Sequence, residues 1–195
     1  MTYSISQLIQ NSHFVQRWNG VNILNFRRSV SQHHVEVAGW CIEFQKFLNK
    51  NNLPLPDNEY VKILEYSLTH DLPEVITGDV KYVVKKAYPN LKESLNLIEE
   101  EIFKELGMCP TDLTKFIVKI GDILAVEKEI YEELQLIKTG TKKNCSIDGT
   151  FNIQNVSDII TDVFNAAQKN PNIPDNFIKL AKDFINLHKS SNVEF

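Results

Sequence analysis

Apolar side chains return along this chain every third or fourth residue rather than every second one. Val30, Val37, Cys41, Phe44, Phe47 and Leu48 keep that spacing in one stretch, and Leu91, Leu95, Ile98, Ile102 and Leu106 in another. This is the period of a helix with one buried face. Helices are expected near residues 3–14, 30–50, 57–70, 91–107, 111–137, 155–169 and 174–188, so the fold class is all-α. Asp57 and Asp175, each just after a proline, and Thr111, after Pro110, are placed as N-caps or first-turn acids. The polar stretch TGTKKNCSIDG, Thr139 to Gly149, reads as a loop. The residues beyond that loop are too few for a second domain and are expected to pack as closing helices on the same core, giving one domain over residues 1–195.

Composition narrows the function classes. The 195 residues are 43% apolar and 24% charged, enough for one sizeable core. With 21 Lys plus Arg against 25 Asp plus Glu, the formal charge is −4. No basic surface suited to long nucleic acid is therefore expected, and any phosphate bound is small and locally held. The three cysteines, Cys41, Cys109 and Cys145, are widely spaced. That argues against a disulfide framework or a thiolate zinc cage and points to the reducing cytoplasm. Neither a signal peptide nor a membrane span is read.

The dipeptide His70-Asp71, followed by Leu72-Pro73-Glu74, closes an apolar-periodic segment. An imidazole beside a carboxylate there can ligate a divalent ion, or can simply be a hydrogen-bonded helix terminus. His33, in Val30-Ser31-Gln32-His33-His34, and Asp122, in Lys119-Ile120-Gly121-Asp122-Ile123, lie on separate expected helices. Asp122 stands in an apolar window, where a carboxylate is costly unless paired or cation-bound. Lys119, one turn earlier, is the plain alternative partner. Arg17 can make bidentate contacts to phosphate oxygens, and Trp18 offers a flat surface and an indole N–H.

Arg17-Trp18, then VSQH at Val30–His33, then THDLPEVITGD at Thr69–Asp79, then the Asp122 segment continuing into Glu132-Glu133-Leu134, span nearly the whole chain. In that order they resemble the HD-domain metal-dependent phosphohydrolases, and among them the YfbR-type 5′-deoxynucleotidase branch. The resemblance implies a single-domain HD helical bundle in which His33, His70, Asp71 and Asp122 hold a divalent metal. The metal would be Co, Mn, Zn, Mg or Fe. Glu74 and Asp79 are then the catalytic carboxylates, while Arg17 and Trp18 contact the nucleotide. Two imidazoles and two carboxylates leave coordination positions for water and a phosphoryl oxygen, and Glu74 sits about one turn from His70, near enough to orient or deprotonate that water.

Two short basic clusters, Arg27-Arg28 and Lys81 with Lys85 and Lys86, are either solvated faces or phosphate-capturing groups at the mouth. Lys81 and Lys85 are taken as substrate-binding candidates. The family commonly has Glu where this chain has Gln32, which would remove a negative charge close to the metal. His34 is expected to point about 100° away from His33 and out of the site. After Asp79 a Pro-Thr-Pro type segment is replaced by Val80-Lys81-Tyr82, putting Tyr82 where a small phosphate-contacting hydroxyl would stand. Exclusion of a ribose 2′-hydroxyl near Trp18 and Val21 would account for deoxy selectivity.

The leading expectation is release of phosphate from deoxynucleoside 5′-monophosphates by a homo-oligomer. A deoxynucleoside triphosphate triphosphohydrolase releasing inorganic triphosphate is the chemical alternative, since small phage dATP hydrolases are similar to this branch. A nucleotide-binding regulator without turnover is the alternative of another class.

Overall fold

The computed structural model describes residues 4–17, 28–138 and 153–189. The expected loop at Thr139–Gly149, Trp18, Val21, Arg27 and Cys145 lie outside the described residues. Within them the elements are α1 (Ile5–Ser12), α2 (Val30–Lys50), α3 (Asp57–Ser67), α4 (Glu74–Thr77), α5 (Tyr82–Ala87), α6 (Pro89–Glu105), α7 (Asp112–Lys138), α8 (Ile153–Lys169) and α9 (Asp175–His188). Among the described residues the extended pairing is a single isolated antiparallel bridge, Gln16 with Ser29. The all-α expectation holds.

α7 is the spine, 27 residues and so about 40 Å long. Its start is built by side chains. Thr111 Oγ1 accepts the Thr114 amide at 3.0 Å, and the Thr111 and Thr114 hydroxyls both donate to Glu59 Oε1, at 2.5 and 2.6 Å. Thr111 is thus the expected cap. Asp57 and Asp175 instead sit in the first turns of α3 and α9, after Pro56 and Pro174.

α2 packs along α7 through Val37, Cys41, Phe44 and Leu48, four positions on one stripe. Phe116, Ile117, Ile120 and Leu124 answer from α7 and Ile63 from α3, while Phe164 and Ala167 of α8 and Phe177, Ala181, Phe184 and Ile185 of α9 close the same core. The rings of Phe44 and Phe184 meet at 4.9 Å. Each such side chain contributes about 1.5–3 kcal/mol by leaving water.

A separate cluster matters more for chemistry. Leu72, fully buried, packs with Leu8 of α1 and Ile102 of α6, pinning the turn that carries His70 and Asp71. That turn corrects the expected 57–70 helix: α3 ends at Ser67, and residues 68–73 form consecutive turns. Thr69 helps to end it, its hydroxyl donating to the Glu65 carbonyl at 2.7 Å. α4 and α5 were not expected, because four and six residues are too few to display a period. Among the described residues no helix is long and apolar enough to cross a membrane.

Gly121 sets how close α2 and α7 come. A Cβ there would lie 3.1 Å from the Val37 carbonyl oxygen and 3.2 Å from Cys41 Sγ. Gly121→Ala gains about 1 kcal/mol of helix propensity and loses about 1–3 kcal/mol to overpacking. A net loss is expected, seen as a thermal midpoint lowered by a few degrees in calorimetry. An unchanged midpoint would mean that the two helices part without cost.

Candidate metal centre

Three separate stretches of chain deliver the site. α2 begins at Ser29, whose hydroxyl accepts the Gln32 amide at 3.3 Å while Gln32 Oε1 accepts the Ser29 amide at 2.9 Å. This reciprocal box fixes the first turn, and His33 follows one residue later. Gln32 is therefore an exposed capping group. Position N3 of the helix turns its side chain to the backbone of the first turn.

His33 is completely buried. Its Nε2 lies 3.1 Å from Asp122 Oδ1 and 3.6 Å from Asp71 Oδ2, and His70 Nε2 is 3.3 Å from the same Asp71 oxygen. His33, His70 and Asp71 present ligand atoms that all lie within 4.8 Å of one another. Asp122 joins them through His33 and also holds Lys119 Nζ, so the plain alternative for Asp122 and the metal reading describe the same carboxylate.

The donor atoms fit a cation better than they fit each other. His70 Nδ1 is 3.0 Å from the Ser67 carbonyl, which places the proton on Nδ1 and leaves the Nε2 lone pair for a ligand bond. Neither His33 Nε2 nor His70 Nε2, both buried, has a properly aligned hydrogen-bond partner among the described residues. Burial, with Arg17 nearby, pushes His33 down and keeps it neutral. Burial alone would raise Asp71, but His70, His33 and Arg17 hold it well below the usual carboxylate range. Asp122 is likewise held low against its burial by Lys119 and His33. Neutral imidazoles and ionised carboxylates are the ligand forms a divalent ion of the Mn, Co or Zn kind needs.

Arg17 arrives from the other side. The Arg17 amide donates to the Arg28 carbonyl at 3.0 Å and the Val30 amide to the Val15 carbonyl at 2.9 Å, so the two-strand bridge carries its side chain to Asp71, Nη1 to Oδ2 at 3.1 Å. Burial works against that charge, yet Glu129, Asp71, Asp122 and Glu74 keep the guanidinium firmly protonated.

Glu74 opens α4, and Gly78, at φ 75°, ends it in a conformation that disfavours a side chain. Glu74 Oε2 is buried without a hydrogen-bond partner among the described residues. Its burial, with Asp71 and then Asp79 nearby, pushes the carboxyl well above its ordinary value. Lys85 and Arg17 act on it in the opposite sense, which places Lys85 in the field of the site, and Lys85 also acts on half-buried Glu99. Asp79 and Lys81 come after α4 as half-buried residues.

Other expectations change. Arg28 is neither a solvated face nor a phosphate grip: Glu36, Glu129 and Glu132 surround it at 3.0, 3.5 and 2.7 Å. Lys86 pairs with Asp158 of α8 at 3.4 Å. The Tyr82 hydroxyl donates to Asp162 of α8 at 3.3 Å.

His34, expected to point away, is also buried and lies 5.1 Å ring to ring from His70. Its Nε2 accepts the Asp71 amide at 3.3 Å, and burial with His70 nearby pushes its pKa down to about 3. Sequence reasoning passed over it. The available signal was the doublet itself, at the start of a helix flanked on two sides. His34→Leu strands the Asp71 amide, and a loss of about 1–3 kcal/mol is expected, measured by urea unfolding in EDTA. Unchanged stability would remove the role of that bond.

A family model described as 5′-deoxynucleotidase YfbR-like matches residues 5–143. No curated protein matches the chain. Among solved structures the chain is similar to the cyanophage S-2L HD phosphohydrolase DatZ, described as bound to dA and one catalytic Zn2+ ion. The TM-score is 0.68 at 15% identity, over 97% of this chain and 99% of that one. It is also similar to a Pyrococcus horikoshii protein, with a TM-score of 0.62, 17% identity and coverage of 94% and 96%. An HD-domain phosphohydrolase from Listeria innocua gives 0.62, 18% identity and coverage of 93% and 88%. These likenesses are of fold.

Proposed function

The chain belongs to the YfbR-like 5′-deoxynucleotidase family, and from that premise we propose that it releases orthophosphate from deoxynucleoside 5′-monophosphates with His33, His70, Asp71 and Asp122 holding a divalent metal ion. One observation carries the site assignment: buried His33 and half-buried His70 and Asp71, from segments far apart in the chain, bring their ligand atoms together beside buried Arg17 and half-buried Glu74.

When bound, the metal supplies Lewis-acid polarisation of the phosphoryl group and a more acidic water. The chain's own residues do the rest. Arg17, charged and next to Asp71, stands where a phosphoryl oxygen would need a donor fork. Glu74, whose carboxyl is pushed above its ordinary value by burial and by Asp71, is suited to taking a proton from the attacking water or giving one to the leaving oxygen. Asp79 is the second catalytic carboxylate of this reading, and Trp18 its surface for the sugar or base.

The triphosphohydrolase alternative asks for cations to hold two further phosphates. Arg28 and Lys86 are engaged by carboxylates elsewhere, which favours the monophosphate, with Lys81 and Lys85 at the mouth. DatZ was solved with dA, so adenine deoxynucleotides head the substrate panel. A cytoplasmic homo-oligomer working as one domain completes the proposal.

The test is a panel of ribo- and deoxynucleoside mono- and triphosphates with Mn, Co, Zn and Mg, the products being separated by ion exchange. Orthophosphate from deoxynucleoside monophosphates is expected. Inorganic triphosphate from a dNTP replaces the reading with its alternative, and no product with any metal refutes both.

Asp71→Ala and Asp122→Ala are expected to lose metal and turnover together. Glu74→Gln should keep metal while kcat falls by about 10²–10⁴, and an unchanged rate would take Glu74 out of the chemistry.

A further inference from the structure

Half of His33 is still unexplained. Its Nε2 faces Asp71 and Asp122, but its Nδ1, equally buried, finds no hydrogen-bond partner among the described residues. A ring that gives Nε2 to a cation carries its proton on Nδ1, and a buried N–H without an acceptor is costly. Glu129 Oε1 lies 3.9 Å from that nitrogen, a gap that about 1 Å of carboxylate movement closes to hydrogen-bond length.

Glu129 stands two turns beyond Asp122 on α7, hence on the same face of the helix, and is itself buried. Arg28 Nη1 holds it at 3.5 Å, while Arg28 is anchored through Nε to Glu36 and through Nη2 to Glu132. The guanidinium thus fixes the carboxylate between α2 and α7. Glu36, the other carboxylate within reach of His33, is more exposed and is taken up by Arg28 at 3.0 Å.

We propose that Glu129 is the positioning residue of His33: it accepts the Nδ1 proton and fixes the tautomer and ring orientation that turn Nε2 to a divalent ion. The inference rests on the reading of His33, His70 and Asp71 as a metal site. It adds a carboxylate–imidazole–metal relay whose outer member Arg28 keeps in place.

Calorimetric titration of Mn2+ or Co2+ into the full chain tests it. Glu129→Ala is expected to bind about 10–100-fold more weakly than the unaltered chain. Glu129→Gln, which keeps an acceptor oxygen without the charge, should lie between. At saturating metal Glu129→Ala should lower kcat with little change in KM, which a merely structural role would not do selectively. Thermal melting in EDTA establishes that each variant folds. Equal metal affinity in Glu129→Ala, or in Glu129→Gln if the alanine variant does not fold, overturns the assignment. Metal binding that fails in the unaltered chain refutes the site reading itself and the relay with it.

Discussion

Carboxylates brought together out of water are the constraint on which the rest of this structure depends. Asp71, Asp122, Glu74 and Glu129 come from the turn after α3, from α4 and from α7, and an uncompensated buried charge costs several kcal/mol. Arg17 compensates Asp71 directly and takes up the fields of Glu129, Asp122 and Glu74; Lys119 compensates Asp122; Arg28 compensates Glu129. Burial pushes His33 and His34 toward their neutral forms, while His70 and His33 act on Asp71 in the compensating sense. A hydrophobic set of the same volume would pack at no such cost, so the arrangement makes sense as a site for a cation and an anionic substrate and not as a core.

The helical scaffold reads as a device for holding those charges still. Leu72, beside Asp71 in sequence, is buried between α1 and α6, so the turn that carries His70 and Asp71 is nailed down by an apolar neighbour. His34 accepts the Asp71 amide from the opposite side. Gly121, beside Asp122, lets α7 approach the backbone of α2 and so fixes the distance between Asp122 and His33. In each case the residue next to a proposed ligand in sequence supplies the anchor.

Much of this was legible in the residues. The stripe at Val30, Val37, Cys41, Phe44 and Leu48 predicts α2 to its observed ends, because a long helix packed on one face writes its period plainly. His33, His70, Asp71, Glu74 and Asp122 were singled out by motif, and the structure gathers them. What escaped was non-local. Glu129 is one of several glutamates in the second half of α7 and no motif marks it, and its partner Arg28 lies far earlier in the chain. His34 was set aside on the assumption that a helix buries one side, whereas the first turn of α2 is enclosed on two.

The same reasoning explains why the basic residues divide as they do. A cation in water near a phosphate site is a natural grip, but a cation already placed between carboxylates must give up those partners to bind an anion. Arg28 would have to leave Glu36 and Glu132, and with it Glu129 would lose its anchor beside His33. Arg17 differs in its partner, since Asp71 is itself turned toward His33 and His70. On the proposed reading, a divalent ion taking up Asp71 would free part of the guanidinium's field for a phosphoryl oxygen, and metal and substrate would bind in support of one another. On that reading Arg28 would serve the metal side of the coupling and Arg17 the substrate side, a division set by which carboxylates each one faces.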